Sequence, residues 1–391
     1  MTDTFAARVR EMNADAPASA FVEVFGCQQN EHDGELIRGM LADMGFGFTQ
    51  DAALAKVVVL NTCAVREHAE QRVLGHLGAI GRAGGSPGRI VAVCGCMAQL
   101  ENSQNTLKRS YGHVNLVFGP GDLARFPELL YTALTKGGRH FNQSDPTAPP
   151  EEGLPVLRAA PPRALVTVMK GCDNFCSYCV VPHTRGRERS RAPEAVLGEV
   201  RGLIRQGYCE IMLLGQNVNS YRPNPDSAGI RDFPELLAAL ASLPGDFSLR
   251  FMTSHPKDAS DKLFSVMGAY GKIAPFLHLP AQSGSSRVLA AMNRGYTREH
   301  YIALTERARA AVPGLNLTSD IMVGFPGETE DDFGETLGLL EKVRFNSLFT
   351  FIYSPRPETP AANLDGVPPP EVVKKRFARL LETQKRIEAT L

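Results

Sequence analysis

Eight cysteines fall at positions 27, 63, 94, 96, 172, 176, 179 and 209, and six of them stand where a chain would gather metal ligands. Cys172, Cys176 and Cys179 are spaced four and three apart in "KGCDNFCSYCVVPHTRGRERSR", just after the apolar run "ALVTVM". A structural zinc site closes with four protein ligands. Only His183 is near enough in sequence to be the fourth, and the apolar "VVP" before it shows no ligand pattern. Three thiolates on a four-iron cluster instead leave one iron open, as a catalytic zinc keeps one position open. A zinc knuckle or buried free thiols are the alternatives.

The second set is scattered in sequence. Cys27 lies just past "FVEVFG", Cys63 just past "KVVVLNT", and Cys96 just past "RIVAVCG". If those runs are neighbouring parallel strands, their carboxyl ends bring the three thiols to one crevice. A lone buried cysteine is usually a small hydrophobe; three at equivalent strand ends point to ligation, again without a fourth ligand. Cys94 and Cys209 read as core thiols.

The positioning elements follow from periodicity. Residues 20–141 alternate short β-rich runs with helical patterns, which implies a parallel sheet covered on both faces. Residues 142–162, "NQSDPTAPPEEGLPVLRAAPP", hold six prolines and read as a linker. From 163 onward the strand candidates are "ALVTVM", "EIMLLG", "FSLRFMT", "APFLHLP", "LNLTSDIMVG" and "FNSLFTFIY". Six βα repeats suggest an open or partial barrel. Between them, Val196, Leu197, Val200, Leu203 and Ile204 form one helical stripe. "PPEVVKKRFARLLETQKRIEATL" reads as a closing amphipathic helix whose Lys374, Lys375, Arg376 and Arg379 face solvent. The expected domains are an extension over 1–19, an α/β domain over 20–141, the linker, and a barrel with its C-terminal helix over 163–391.

Forty-two basic residues balance forty-two acidic ones, which argues against nonspecific polyanion binding but leaves room for a local basic patch. No apolar run approaches the roughly 18–20 residues of a membrane span, and the first twenty residues hold no signal-peptide core. The expectation is a cytoplasmic protein with reduced thiols.

Cx3Cx2C is the spacing of radical S-adenosylmethionine enzymes. Together with "FGCQQNEHD", "NTCAVREHAEQR", "GCMAQ", "LLGQNVNSY", "HLPAQSGS", "MNRGYTREHY", "DIMVGFPGETEDDF" and "FIYSPRPETPAA", the chain resembles the MiaB family of tRNA methylthiotransferases from about residue 20 to 388. The resemblance implies an α/β fold: a flavodoxin-like parallel-sheet domain followed by a radical SAM partial (β/α)6 barrel. It implies two 4Fe-4S clusters. One, on Cys172, Cys176 and Cys179, would bind S-adenosyl-L-methionine at its open iron; the auxiliary one, on Cys27, Cys63 and Cys96, would hold the sulfur. The implied reaction adds a methylthio group to C2 of N6-isopentenyladenosine beside the anticodon. No side-chain acid or base can activate that C–H, so no catalytic residue beyond the cluster ligands is expected.

Cofactor contacts are expected from Tyr178 and from the strand-end residues Gln216, Asn217, His278, Gln282 and Asp320. Arg185, Arg187, Arg189 and Arg191 are expected to meet tRNA phosphates. The implied partners are a tRNA anticodon stem-loop and an electron donor such as a flavodoxin or ferredoxin, with no membrane and a monomeric enzyme. Glu358 stands where the family usually has glycine, and Gln29 where methionine is common. The family's RNA-binding TRAM barrel has no counterpart after the last helix, so either the sequence stops short of it or tRNA is held elsewhere. The other readings are relatives that modify a ribosomal-protein aspartate or threonylcarbamoyl-adenosine, and a zinc-stabilised RNA-binding module.

Overall fold

A computed structural model describes residues 2–14, 18–64, 67–84, 88–143, 145–146, 152–224 and 229–391. The chain divides into two compact units: Met1–Ala160 with Val180–Arg187, and Pro161–Cys179 with Glu188–Leu391.

The first unit is built on a parallel sheet of β1 (Ser19–Val24), β2 (Gly47–Phe48), β3 (Val57–Thr62), β4 (Ile90–Gly95), β5 (Leu116–Phe118) and β6 (His140–Phe141). Its order is β2-β1-β3-β4-β5-β6, the doubly wound flavodoxin-like order extended by one edge strand. Along β3 and β4 every residue is buried. Val57, Val59, Ile90 and Ala92 enter one core, whereas Val58, Leu60, Val91 and Val93 enter the other. Alternate side chains point to opposite faces, so a strand covered on both sides must be apolar throughout.

The helices of this unit are α1 (Thr2–Ala14), α2 (Gln28–Asp43), α3 (Glu67–Ala83), α4 (Cys96–Gln99), α5 (Glu101–Ser110), α6 (Phe126–Lys136) and α7 (Val181–Arg185). Residues 1–19, expected as an extension, contain a helix that contributes Ala6 and Val9 to the core. Phe5 meets Tyr131 of α6 with ring centroids 5.6 Å apart. Of the expected linker, residues 144 and 147–151 lie outside the described residues. Beyond them Leu154 and Val156 pack on the first core, and Leu157 N–H donates to the Glu35 carbonyl at 3.0 Å.

The second unit contains β7 (Arg163–Thr167), β8 (Met169–Lys170), β9 (Arg189–Ser190), β10 (Glu210–Leu214), β11 (Ser248–Phe251), β12 (Phe276–His278), β13 (Asn316–Val323) and β14 (Ser347–Ile352). Two parallel sheets, β7-β10-β11 and β12-β13-β14, are joined by a bridge between Leu249 and Ile273. Six parallel strands therefore succeed one another in chain order, as the six βα repeats predict. Ala164, Val166, Ile211, Leu213, Leu249, Leu277, Leu317 and Ile321 share one core with the surrounding helices. By strand alternation, His278, Thr318, Asp320 and Met322 occupy the opposite, inner face.

Those helices are α8 (Pro193–Arg205), α9 (Phe233–Ala241), α10 (Asp261–Ala269), α11 (Ser286–Ala291), α12 (Arg298–Ala311), α13 (Glu330–Val343) and α14 (Pro370–Glu388). The α8 stripe packs inward as its spacing predicts, with Val196, Val200 and Leu203 buried. On α14, Val373, Leu380 and Ile387 recur every seven residues and enter the core. Arg376, expected on the solvent face, is buried beside them. It pairs with Glu328 at 3.0 Å and Glu330 at 3.1 Å, because two carboxylates before and at the start of α13 supply the charge it needs.

Candidate functional site

In the first unit the strand order reverses between β1 and β3, and ligands of open α/β sheets bind outside the strand carboxyl ends at such a point. Cys27 follows β1, Cys63 follows β3, and Cys96 follows β4. Two glycines allow the close approach. Gly26 has φ +125°, and a Cβ there would overlap the Cβ of Cys63. Gly95 has φ +91°, and a Cβ there would overlap the Thr62 carbonyl and the Asn61 side chain. Asn30 and Asn61 lock the two strand ends: Asn30 Nδ2 donates to the Thr62 carbonyl and Asn61 Nδ2 to the Asn30 carbonyl, each at 2.9 Å.

Cys63 and Cys96 are buried; Cys27, at the N-cap of α2, is open to solvent on one side. A hydrogen bond with the Cys63 thiol, helped by the nearby Arg185 guanidinium, lowers the Cys27 thiol to about 6. Burial raises Cys94 and Cys96. The surroundings of Cys27 thus favour the thiolate, the form that binds metal. Cys94 is a core thiol as its position predicts, whereas Cys209 is exposed. Cys209 precedes β10, at the strand's amino end, where the sheet offers no core to enter.

In the second unit the cysteine loop hangs from the antiparallel pair β8–β9, with Lys170 opposite Arg189. Asp173 and Glu188 close its base, each backbone N–H donating to the other's carboxylate at 3.1 Å. The Gly171 N–H donates to Gln216 Oε1 at 2.6 Å, so Gln216 fixes the start of the loop. Burial raises the Cys172 thiol to about 11. Arg294, buried, donates to Cys176 Sγ at 3.3 Å and to the Pro280 carbonyl at 2.7 Å. His255 Nε2 lies 4.0 Å from the same sulfur; burial, then Arg294, lowers its imidazole to about 2. Tyr178 packs on Val288, Met292, Phe325, Tyr353 and Ala361, its hydroxyl 3.5 Å from Arg294 Nη1.

Of the remaining expected cofactor contacts, His278, Gln282 and Asp320 gather at the neighbouring strands β12 and β13. His278 Nδ1 is 3.0 Å from Thr318 Oγ1 and its Nε2 is 3.4 Å from Asp320 Oδ1. Gln282 is buried with φ +70°, held by its N–H to the Asp320 carbonyl at 2.8 Å. A non-glycine residue there is strained, a condition that collects at ligand sites. Asn217 donates to Asp258 Oδ2 at 2.7 Å, and its buried Oδ1 has no hydrogen-bond partner among the described residues. Both Glu358 carboxylate oxygens are likewise enclosed without such a partner. A buried polar group without a partner calls for one, and a bound ligand is one source.

The four arginines do not form one surface. Arg187 is exposed and Arg189 half-buried. Arg191 donates to the Thr167 carbonyl and to Glu199, both at 2.7 Å, and so braces β7 against α8. Arg185 is buried in the first unit: Nη2 donates to Asp33 Oδ2 at 2.7 Å and Nε to Cys96 Sγ at 3.2 Å. Arg185 is thus engaged by a carboxylate and a thiol inside the first unit rather than displayed on its surface. The roles of Arg294, His255 and Asp33 had no sequence signal of their own; their targets lie 118, 79 and 152 residues away.

Both cysteine sets suit iron–sulfur ligation in donor type and in the cationic donors aimed at their sulfurs. Among the described residues no three His, Cys, Asp or Glu side chains close around one ion-sized point; a four-iron cluster takes each thiolate on a different iron. Residues 166–340 match the radical SAM superfamily, and residues 19–119 match the uncharacterized protein family UPF0004. The chain is 49% identical over 367 residues to a tRNA-2-methylthio-N(6)-dimethylallyladenosine synthase of Acetivibrio thermocellus, covering 94% of this chain and 76% of that one. The chain belongs to the tRNA-2-methylthio-N(6)-dimethylallyladenosine synthase family.

Another synthase of the family, from Clostridioides difficile, is 44% identical over 375 residues, covering 95% of this chain and 77% of the relative. Among solved structures the chain resembles the radical S-adenosylmethionine methyltransferase TsrM of Kitasatospora setae, with a TM-score of 0.62. That likeness covers 88% of this chain and 77% of TsrM at 16% identity, so it shows the fold alone. The cobalamin-dependent radical enzyme OxsB gives a TM-score of 0.56 at 13% identity, over 95% of this chain and 56% of OxsB. The synthase family uses S-adenosyl-L-methionine and 4Fe-4S clusters.

Proposed function

We propose that this synthase adds a methylthio group to C2 of N6-dimethylallyladenosine beside the anticodon of tRNA. The observation that carries the reading is two separate three-cysteine sets, each at strand carboxyl ends, in a chain that is 49% identical to such a synthase along 94% of its length. When bound, the clusters and S-adenosyl-L-methionine supply the one-electron chemistry, the sulfur and the methyl group. Cys172, Cys176 and Cys179 would hold one cluster; Cys27, Cys63 and Cys96 would hold the other.

The protein's own residues position and enclose. Gln216 and Arg294 fix the cysteine loop, and Tyr178 packs its far side. His278, Gln282, Asp320 and Asn217 offer polar groups to the amino acid end and ribose of the cofactor. Phe349, 45% exposed and edge-on to His278 at 5.6 Å, offers an apolar surface for the dimethylallyl group. Arg187, exposed, and Arg189, half-buried beside the cysteine loop, would meet tRNA phosphates. The base is already unpaired in its loop, so presenting it costs less than a duplex flip. No helix of the described residues is long and apolar enough to cross a membrane. The reading is completed by a cytoplasmic, monomeric enzyme reduced by a flavodoxin or ferredoxin.

The test is iron and sulfide content after anaerobic reconstitution, with mass analysis of nucleosides from an incubated, prenylated anticodon stem-loop. About eight irons should fall to about four in Cys172→Ala/Cys176→Ala/Cys179→Ala and in Cys27→Ala/Cys63→Ala/Cys96→Ala. Both variants should form no methylthio product. Stoichiometric zinc without iron, or product on a peptide aspartate, would overturn the reading.

A further inference from the structure

A buried chain of contacts, Gln29–Asp33–Arg185–Cys96, links α2 and α7 to the first cysteine set. Arg185 is 4% exposed and Asp33 is 4% exposed, so each has given up its hydration for the other. Gln29 Nε2 donates to Asp33 Oδ1 at 3.2 Å while Arg185 holds Oδ2, so both carboxylate oxygens are engaged. The guanidinium then spends a second, differently directed N–H on the Cys96 sulfur. An arginine guanidinium keeps its charge in proteins, and this one is enclosed with its carboxylate partner 2.7 Å away. A planar fork can reach two acceptors in fixed directions at once; an ammonium on a flexible stem cannot do so with the same geometry.

We propose that Arg185, held by Asp33 and Gln29, is a positioning residue of the Cys27/Cys63/Cys96 site, where its N–H to Cys96 and its fixed charge favour the electron-rich state of the bound cluster. The inference rests on the proposed function, in that those cysteines must hold a cluster. The physics is general: hydrogen bonds to cluster sulfurs and local charge set cluster potentials. The second unit uses the same device independently, with buried Arg294 donating to Cys176. Gln29 supplies a side-chain donor to the carboxylate oxygen of Asp33 that Arg185 does not hold.

The experiment uses Cys172→Ala/Cys176→Ala/Cys179→Ala protein, in which only this site can load, with Arg185 intact, Arg185→Gln or Arg185→Lys. Iron content and the one-electron midpoint potential are measured on each, and binding of the anticodon stem-loop is followed as salt rises. Loss of the charge should shift the reduction equilibrium at least tenfold, which is 59 mV to more negative potential. The lysine variant keeps a cation and should fold where the glutamine variant does not; its shift should have the same sign and be smaller. The salt slope of RNA binding should not change. An unshifted potential in every loaded variant, with a salt slope reduced by about one, would return Arg185 to phosphate contact and overturn the proposal. If the protein with Arg185 intact loads no iron, it is the cluster reading that has failed.

Discussion

Asp332 is the test of whether the loop carrying Gln282 is held from behind. Its carboxylate accepts from the Thr329 N–H at 2.8 Å and Thr329 Oγ1 at 2.6 Å, forming the capping box of α13. It also accepts from Ser285 Oγ at 2.7 Å and from Arg287, binding the 282–285 turn to the helix. Burial alone would raise this carboxyl, but the bonds from Arg287, Thr329 and Ser285 outweigh it and hold it well below the usual range. Its stabilising contribution is therefore complete above the unfolded carboxylate pKa, near 4, and is lost as pH falls toward the depressed folded value. Asp332→Ala removes a cap worth about 1 kcal/mol. It also removes a buried bond to a charged acceptor worth about 1.5–3 kcal/mol. The exposed Arg287 pair adds less than about 1 kcal/mol.

The expected loss is about 3 kcal/mol, or roughly 6–12 °C of melting temperature for a unit of this size. Arg287→Ala, which deletes the exposed pair and an exposed bond to the Gly327 carbonyl, should lower the melting temperature by no more than about 4 °C. Affinity for S-adenosyl-L-methionine, measured by calorimetry on reconstituted protein below both melting temperatures, should fall in Asp332→Ala and hold in Arg287→Ala. Equal melting temperatures for the two variants would refute the reasoning. So would an unchanged cofactor affinity in an Asp332→Ala protein that does melt early.

Gly95→Ala forces a Cβ into the Thr62 carbonyl at positive φ, so it should cost about 2–5 kcal/mol and lower iron loading at the first site. Gly112→Ala, which meets nothing within 4 Å, should do neither, and urea unfolding with iron analysis checks both. His255 is buried neutral at about 2, below its unfolded value, so its contribution is intact above pH 6.5 and is lost as pH falls through the window beneath. Apoprotein should lose about 1.4 kcal/mol at pH 5.5 from this group, and His255→Gln should flatten the urea-midpoint profile; parallel profiles would contradict this. Phe349→Ala should lower kcat/KM about 5- to 30-fold on a prenylated stem-loop, the value of burying a few methylenes. The unprenylated analogue should be unaffected, and equal losses on both would remove Phe349 from recognition.

The strands and the cysteines at their ends were legible because a doubly covered parallel strand must be apolar and its carboxyl end is marked by Gly-Cys or Thr-Cys. The α8 stripe was legible for the same local reason. The arginine run was not, because "RGRERSR" has the pattern of a solvated surface while Arg185 and Arg191 turn inward to partners that no short-range rule names. Arg294 lies within "MNRGY" without any sign that its target is Cys176. The first helix escaped notice because the positions it buries in the core, Ala6 and Val9, are too few to stand out before the sheet supplies a surface for them. Local chemistry was readable; long-range charge pairing was not.

The first unit is discontinuous in sequence, since Val180–Arg187 completes it after residues of the second unit have intervened. That has a consequence for the order of events during synthesis. Asp33 leaves the ribosome 152 residues ahead of the arginine that will neutralise it. At about 5–20 residues per second the interval is roughly 8 to 30 s. For the last 89 residues of it, roughly 4 to 18 s, Cys27, Cys63 and Cys96 have all emerged while the guanidinium that donates to Cys96 has not. The nascent pocket therefore waits open, its carboxylate and thiols still hydrated, and closes only when the segment just past Cys179 arrives. A chain arranged this way cannot seal the first cysteine set before all three cysteines of the second have been made.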